Sequence, residues 1–170
     1  MGPFQETPNR GYCGPASLKM VLEYYGRKCS EAELAILCEL DPVLGTTDTA
    51  IANAARAFGF EVEVENLSNF DQIGKWLRRG VPPIVDWITC GRLENNESDV
   101  PDGHYSVVVG LDLDFIYLQD PEIGKLRKIK KADFLRVWFD FNGDHLSSYE
   151  DLIIRQLIAV YKETSPVEWN

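Results

Sequence analysis

The hydrophobic pattern of the chain changes along its length, and this change restricts the folds that the chain can adopt. Segments with helical spacing dominate up to about residue 80, and one alternating run among them, FEVEVENL, predicts a strand. Short alternating or apolar runs follow, and they read PPIVDWI, HYSVVVGLD, FIYLQD, KLRKIK and RQLIAVYK. Helices first and a mostly antiparallel sheet afterwards predict an α+β fold with two lobes.

The first predicted helix spans residues 14–25 and ends at Gly26. Lys19 and Glu23 lie four residues apart and form a narrow polar stripe, while apolar residues cover most of the remaining surface. We therefore expect this helix to be central and largely buried. Further helices are predicted from Ser30 to about Leu40, from Thr46 or Thr47 to Gly59, over residues 70–79, and in KADFLRVW.

The bulk properties favour a single globular domain over residues 1–170. The net charge is −10, so we expect no nucleic-acid partner, and the basic run at 125–131 is interpreted as the solvated face of a strand. No apolar run is long enough for a membrane span, and no secretory signal is visible. We therefore expect a cytoplasmic protein without a membrane partner; its oligomeric state stays open.

Cys13 is the strongest candidate for a nucleophile among four cysteines. It stands in NRGYCGPAS at the start of the first predicted helix, where unpaired N–H groups favour the reactive thiolate. Pro15 suits a first helical turn, and Gly14 leaves room for a substrate backbone. Cys29 and Cys38 lie in helical segments and are expected to be structural. Cys90 also precedes a glycine, but it follows a strand into a polar loop.

A nucleophilic thiol needs a base, and the chain contains two histidines, His104 and His145. His104 opens a predicted strand after Gly103, and we expect it to face a cleft. If that strand and FIYLQD form a hairpin that turns near residues 112–114, His104 lies opposite position 121 and Asp120 lies beside it. Asp120 would then orient the imidazole and stabilise its protonated form. Gln5, in an extended segment upstream, is a candidate donor to an oxyanion.

Taken together, these motifs resemble the C39-like cysteine peptidases, which have a papain-like fold and are related to bacteriocin-processing peptidase domains. The resemblance rests on Gln5, YCGPASLKMVLEYYG, GHYSVVVGLD, YLQDPEIGKLRKI and DFLRVW, and it spans nearly the whole chain. It implies a free-standing member that hydrolyses peptide bonds through a thioester. It also implies that Cys13 is the nucleophile, His104 the general base, Asp120 the orienting acid and Gln5 the oxyanion-hole side chain. The gap from Gln5 to Cys13 is longer than the usual one in the family.

Two alternatives remain open. A papain-fold acyl transferase similar to phytochelatin synthase would pass the acyl group to an amine instead of water. A catalytically silent module on the same fold would bind a peptide without cleaving it. Either alternative would take a peptide or protein partner, as the peptidase would.

The segment DFNGDHLSSYED at 140–151 places aspartates and an asparagine at spacings similar to those of a calcium-binding loop. However, His145 occupies the position where such a loop needs glycine, and the last ligand is Asp151 where glutamate is usual. We therefore interpret this segment as a turn, and we expect neither a metal nor a cofactor.

Overall fold

A computed structural model of the chain describes residues 1–7, 11–89, 102–143 and 146–162. The predicted helices and strands are present with small differences at their ends, except that the predicted helix KADFLRVW is helical only over Lys131–Phe134. The helices are α1 (Cys13–Tyr24), α2 (Glu31–Leu37), α3 (Asp48–Ala57), α4 (Phe70–Arg78), α5 (Lys131–Phe134) and a 3-10 turn (Tyr149–Asp151). The strands are β1 (Glu61–Glu65), β2 (Ile84–Thr89), β3 (Asp102–Leu111), β4 (Phe115–Asp120), β5 (Lys125–Lys130), β6 (Phe139–Phe141), β7 (Leu152–Ile154) and β8 (Leu157–Tyr161).

Six strands form one antiparallel sheet in the order β1-β8-β2-β3-β4-β5. The short strands β6 and β7 pair separately, and the sequence pattern did not predict them. The chain therefore has the predicted α+β architecture, with helices packed on a mostly antiparallel sheet.

The sheet has an apolar core on each face, because side chains alternate along its buried strands. One core joins α1 and α3 to the face that carries Ile84 and Val107. The other joins α4 and Phe134 to the face that carries Val85. Two faces of the same strands thus hold helices in place on both sides of the sheet.

Helix α1 is the central helix, as its composition predicts. Leu18, Val21 and Leu22 are fully buried, and Lys19 pairs with Glu23 across one helical turn. Tyr24 is 44% exposed, so the polar stripe is wider at the end of the helix than the sequence indicates.

Local caps fix where the other helices begin. The Ser30 hydroxyl accepts a hydrogen bond from Glu33 N, and the Thr47 hydroxyl accepts one from Ala50 N. Thr47, the second of the two threonines offered by the sequence, is therefore the cap of α3. Within the described residues, no helix is long and apolar enough to span a bilayer.

Candidate active site

Cys13 is the first residue of α1, one residue before the predicted start of this helix. The carbonyl of Tyr12 accepts a hydrogen bond from Ala16 N at 2.8 Å and closes the first helical turn. The helix is attached to β3 by Ser17, whose hydroxyl donates to the Tyr105 carbonyl at 3.1 Å. The thiol is therefore held at the amino end of a buried helix, beside the strand that carries His104.

Gly14 has a packing role that differs from the predicted one. A Cβ at this position would lie 3.0 Å from the Thr46 Cβ and 3.2 Å from the Ile51 Cδ1. Gly14 thus allows the start of α3 to approach the start of α1. Its neighbours are side chains of the protein, whereas the sequence predicted that a substrate backbone would approach it.

His104 is buried near the start of β3 and contacts both of the expected partners. Its Nε2 lies 2.7 Å from the Asp120 Oδ1, and Cys13 lies close enough to raise the pKa of the imidazole. Because Nε2 is engaged with Asp120, Nδ1 is the ring nitrogen left for Cys13. The neighbouring Asp102 accepts a hydrogen bond from Gly103 N instead. The structure therefore brings Cys13, His104 and Asp120 together.

The β3–β4 hairpin explains this meeting, although its register differs slightly from the predicted one. The turn is built on Asp112, and the paired strands place Val107 opposite Gln119, with an irregularity between Val108 and Gly110. One further step along the strands puts Asp120 on the same face as His104, two residues away along β3. Diagonal neighbours at this spacing are within reach of long or aromatic side chains.

Burial and charge act in opposite directions on His104. Burial disfavours its protonated form, but the contacts with Asp120 and Cys13 outweigh burial and raise the pKa of His104 well above its usual value. For Asp120, burial favours the neutral acid, but His104, Arg127 and the Glu122 N–H outweigh it and lower the pKa of this carboxyl. The arrangement therefore favours an imidazolium facing a carboxylate.

Two residues that the sequence analysis did not assign to the site complete it. Arg127, in the run interpreted as a solvated strand face, is 28% exposed, and its Nε lies 2.6 Å from the Asp120 Oδ2. Trp87 stands edge-on to the His104 ring, with centroids 5.6 Å apart. The sequence signal that could have identified Arg127 is the alternation of β5, which puts Arg127 on the same face as Lys125 and Ile129.

Gln5 lies near this cluster, but its side chain is exposed. A Cβ at Gly124 would come within 2.7 Å of the Gln5 Cβ, so the two backbones pass closely. The following residue is anchored more firmly, because Glu6 N donates to the Pro121 carbonyl at 2.9 Å. Burial raises the pKa of Glu6 to about 7, and the positive charge of His104 opposes this rise. The Glu6 side chain thus lies within the electrostatic field of His104.

A second pair of carboxyls lies on the other face of the same strands. Asp86 on β2 is opposite Tyr105 and is 1% exposed, and its carboxyl contacts that of Asp140. Burial and this neighbour raise the pKa of Asp86 well above the usual value, and burial also raises the pKa of Asp140. The pair therefore binds its last proton more tightly than two separate, exposed carboxyl groups would.

The described part of the 140–151 segment uses its carboxylates within the protein. Asp140 accepts a hydrogen bond from Phe141 N, and Asp151 accepts from Ser147 N and Ser148 N as part of a helix cap. Asp144 and His145 lie outside the described residues, as does the other candidate thiol, Cys90.

One group in the described part of the chain has ligand atoms close enough for a metal ion. It consists of His104, Asp120 and Glu122, with atoms within 4.8 Å of one another. The Asp120 oxygens already face His104 and Arg127, and a guanidinium beside them opposes a bound cation. This chemistry fits an ion-paired histidine better than a metal site.

Comparison with known proteins identifies the family. The model of the Peptidase C39 family matches residues 5–141. The Mesentericin-Y105 transport/processing ATP-binding protein MesD of Leuconostoc mesenteroides is 34% identical over 131 residues, which are 74% of this chain and 16% of that protein. The chain thus spans about a sixth of the length of this relative.

Solved structures show the same fold. The peptidase domain of Streptococcus ComA, a bi-functional ABC transporter, has a TM-score of 0.69 at 24% identity, with 95% of this chain and 98% of that domain covered. A double glycine motif protease from an AMS/PCAT transporter, solved in complex with the leader peptide, has a TM-score of 0.65 at 21% identity, with 95% and 91% covered. The fold is therefore the papain-like fold of the C39 peptidase domains, and the chain belongs to the Peptidase C39 family.

Proposed function

We propose that this protein is a cysteine peptidase that hydrolyses peptide bonds through a thioester formed on Cys13. The observation that carries the proposal is the position of one buried imidazole, His104, which lies 2.7 Å from the Asp120 carboxylate and close enough to Cys13 for this thiol to raise its pKa. A nucleophile, a base and a group that orients the base are the minimum set for acyl transfer.

In the first half of the reaction, His104 takes the Cys13 proton, and the thiolate attacks the carbonyl carbon of the scissile amide. Asp120 stabilises the resulting imidazolium and holds the ring with Nε2 away from the thiol. The tetrahedral intermediate then collapses when His104 gives its proton to the leaving amine. The products of this step are the free amine and a Cys13 thioester.

In the second half, His104 removes a proton from water, and the hydroxide attacks the thioester carbonyl. Collapse of this intermediate breaks the carbon–sulfur bond and releases a carboxylic acid. The proton returns to the Cys13 sulfur, so the enzyme is regenerated without a cofactor.

The negative oxygen of both intermediates needs hydrogen-bond donors. The backbone N–H of Cys13 is one proposed donor, because N–H groups at the start of a helix have no partner within the helix. Gln5 is the proposed second donor, from its place upstream of Cys13. This role requires its exposed side chain to turn toward the cleft when a substrate binds.

The proposed substrate is a peptide or protein segment. The structurally similar protease that was solved in complex with the leader peptide supports this class. We treat residues 1–170 as one peptidase domain, and we propose that it acts in the cytoplasm. Cys13, Cys29 and Cys38 are free thiols in the structure, which is the usual state of cysteines in that reducing compartment.

Labelling with a peptide that carries an electrophilic carbonyl tests the proposed function. We expect the probe to modify the wild type and Cys90→Ala at Cys13, and to leave Cys13→Ala unmodified, as mapped by mass spectrometry. Labelling that is lost only in Cys90→Ala would overturn the assignment of the nucleophile. Labelling of Cys13 no faster than that of a free thiol would favour the silent binding module.

A further inference from the structure

We propose that Arg127 is a positioning residue, which keeps the Asp120 carboxylate ionised and aimed at His104. The inference rests on the proposed function, because it concerns the support of the base. It goes beyond that function by extending the site from β3 and β4 to the edge strand β5.

The first argument is that the two carboxylate oxygens of Asp120 contact different partners. Oδ1 faces the His104 Nε2 at 2.7 Å and accepts a hydrogen bond from Glu122 N at 3.0 Å. Oδ2 faces the Arg127 Nε at 2.6 Å. Since one oxygen meets the imidazole and the other meets the guanidinium, Asp120 cannot rotate away from His104 without losing both contacts.

The second argument is burial. The Asp120 side chain is fully buried, and a buried carboxylate without sufficient compensation takes up a proton. His104 compensates the charge of Asp120 only while the imidazole is protonated. A guanidinium, in contrast, is charged at every physiological pH. Arg127 therefore keeps Asp120 ionised throughout a reaction in which His104 gains and loses its proton.

The third argument is that Arg127 is itself held in place. Its guanidinium carbon lies 5.5 Å from the centre of the Trp87 ring, and Nη2 lies 3.6 Å from the Glu122 Oε2. The same indole packs at a steep angle to the His104 ring and donates from Nε1 to the Ser106 hydroxyl at 3.1 Å. Trp87 thus contacts both ends of the chain from His104 through Asp120 to Arg127 and shields it from water.

Removal of this cation would weaken the imidazolium. The pKa of Asp120 would rise, and a neutral Asp120 would no longer stabilise protonated His104. Protonated His104 would then persist over a narrower pH range. Lysine at this position would keep the charge but would lack the planar group that lies over the Trp87 ring and presents Nε to Asp120.

The test uses the full chain with Arg127→Gln and Arg127→Lys. Lys128→Gln is the matched control, because it removes one positive charge from the next residue, which is exposed and points to the other face of β5. We would measure the pH profile of kcat/KM with a peptide of neutral residues. Thermal melting would establish that each variant is folded.

For Arg127→Gln we expect the alkaline limb of the kcat/KM profile, where His104 loses its proton, to move down by about one pH unit or more. We expect kcat to fall about tenfold or more, KM to change little, and Arg127→Lys to lie between this variant and the wild type. Lys128→Gln should follow the wild type. An unchanged alkaline limb in Arg127→Gln, or an equal shift in Lys128→Gln, would overturn the proposal.

A second measurement keeps this inference separate from the proposed function. The chain has two histidines, so a His145→Gln background leaves the imidazole signals of His104 alone in NMR spectra. We expect His104 to lose its proton at lower pH in Arg127→Gln and, to a smaller extent, in Arg127→Lys. This readout needs no turnover, so it tests Arg127 even if no peptide is cleaved, and an unmoved titration in both variants would contradict the proposal.

Discussion

The carboxyl group of Asp140 occupies the space that a side chain at residue 103 would need. A Cβ on Gly103 would overlap the Asp140 Oδ2 and would come within 2.7 Å of the Cγ. Gly103 directly precedes His104, so the β6 strand that carries Asp140 packs against the backbone that positions the imidazole.

Gly103→Ala should therefore disturb both stability and activity. The added methyl group forces Asp140 or the β3 backbone to move, and we expect a loss of about 1–3 kcal/mol in the free energy of unfolding. Gly110→Ala on the same strand is the control, because its Cβ would lie an ordinary 3.6 Å from the Tyr117 ring. Urea unfolding would measure the stability of both variants. Equal stability would show that Asp140 moves aside without a loss in the free energy of unfolding.

The Asp86–Asp140 pair should make stability depend on pH. The pKa of Asp86 is raised in the folded protein by burial and by Asp140, with Asp48 adding to the rise and His104 opposing it. The folded state thus holds a proton that the unfolded chain releases near pH 4. The contribution of this proton to the free energy of unfolding is complete below about pH 4, and it is lost as pH rises through the folded-state pKa of Asp86.

Asp86→Asn should remove this loss, because the amide is neutral and can donate to Asp140. We expect the variant to be more stable than the wild type by about 1 kcal/mol or more near pH 8, with a difference that shrinks toward pH 4. Exposed Asp133→Asn serves as the control. Urea unfolding across this range would contradict the account if the difference between Asp86→Asn and the wild type did not change with pH.

The sequence predicted the parts of the site that follow from local patterns. The position of Cys13 follows from the signals of a helix start, and the meeting of His104 with Asp120 follows from the alternation and the turn of one hairpin. Arg127 was missed because a charged residue on an edge strand is usually solvated. Its burial depends on Trp87, which lies on β2, three strands away in the sheet.

Asp140 was missed for a related reason. In the sequence it stands in a run of polar residues, where it was counted among the possible ligands of a loop. In the structure it belongs to β6, a strand of three residues, which is too short for an alternating pattern to be recognised. Its contacts with Gly103 and Asp86 join segments that are far apart along the chain, and no spacing rule connects them.

Asp120→Asn should remove the charge that stabilises protonated His104 while leaving the imidazole in its position. The amide fits the same space, but it lacks the charge that stabilises protonated His104. We expect kcat/KM to fall by about 10²–10⁴-fold and His104 to lose its proton at lower pH. Steady-state kinetics and NMR titration would measure the two effects. Wild-type kinetics in this variant would remove Asp120 from the proposed site, and Asp102→Asn serves as the control.

Gly14→Ala should loosen the contact between the starts of α1 and α3. The new methyl group would press on Thr46 and Ile51, and we expect a loss of about 1–3 kcal/mol in stability together with lower activity. Gly74→Ala in α4 is the control, because its nearest neighbour is the flexible end of Arg78, and alanine favours a helix by up to about 1 kcal/mol. A Gly14→Ala variant as stable and as active as Gly74→Ala would contradict this packing role.

The most direct test of the central claim is peptide cleavage in water enriched in heavy oxygen, analysed by mass spectrometry. We predict that the wild type produces a new amino terminus and a new carboxylate that carries one heavy oxygen atom, and that Cys13→Ala and His104→Ala produce neither. An acyl product joined to an added amine or thiol, without heavy oxygen, would show a transferase. Cleavage that persists in Cys13→Ala would contradict the account altogether.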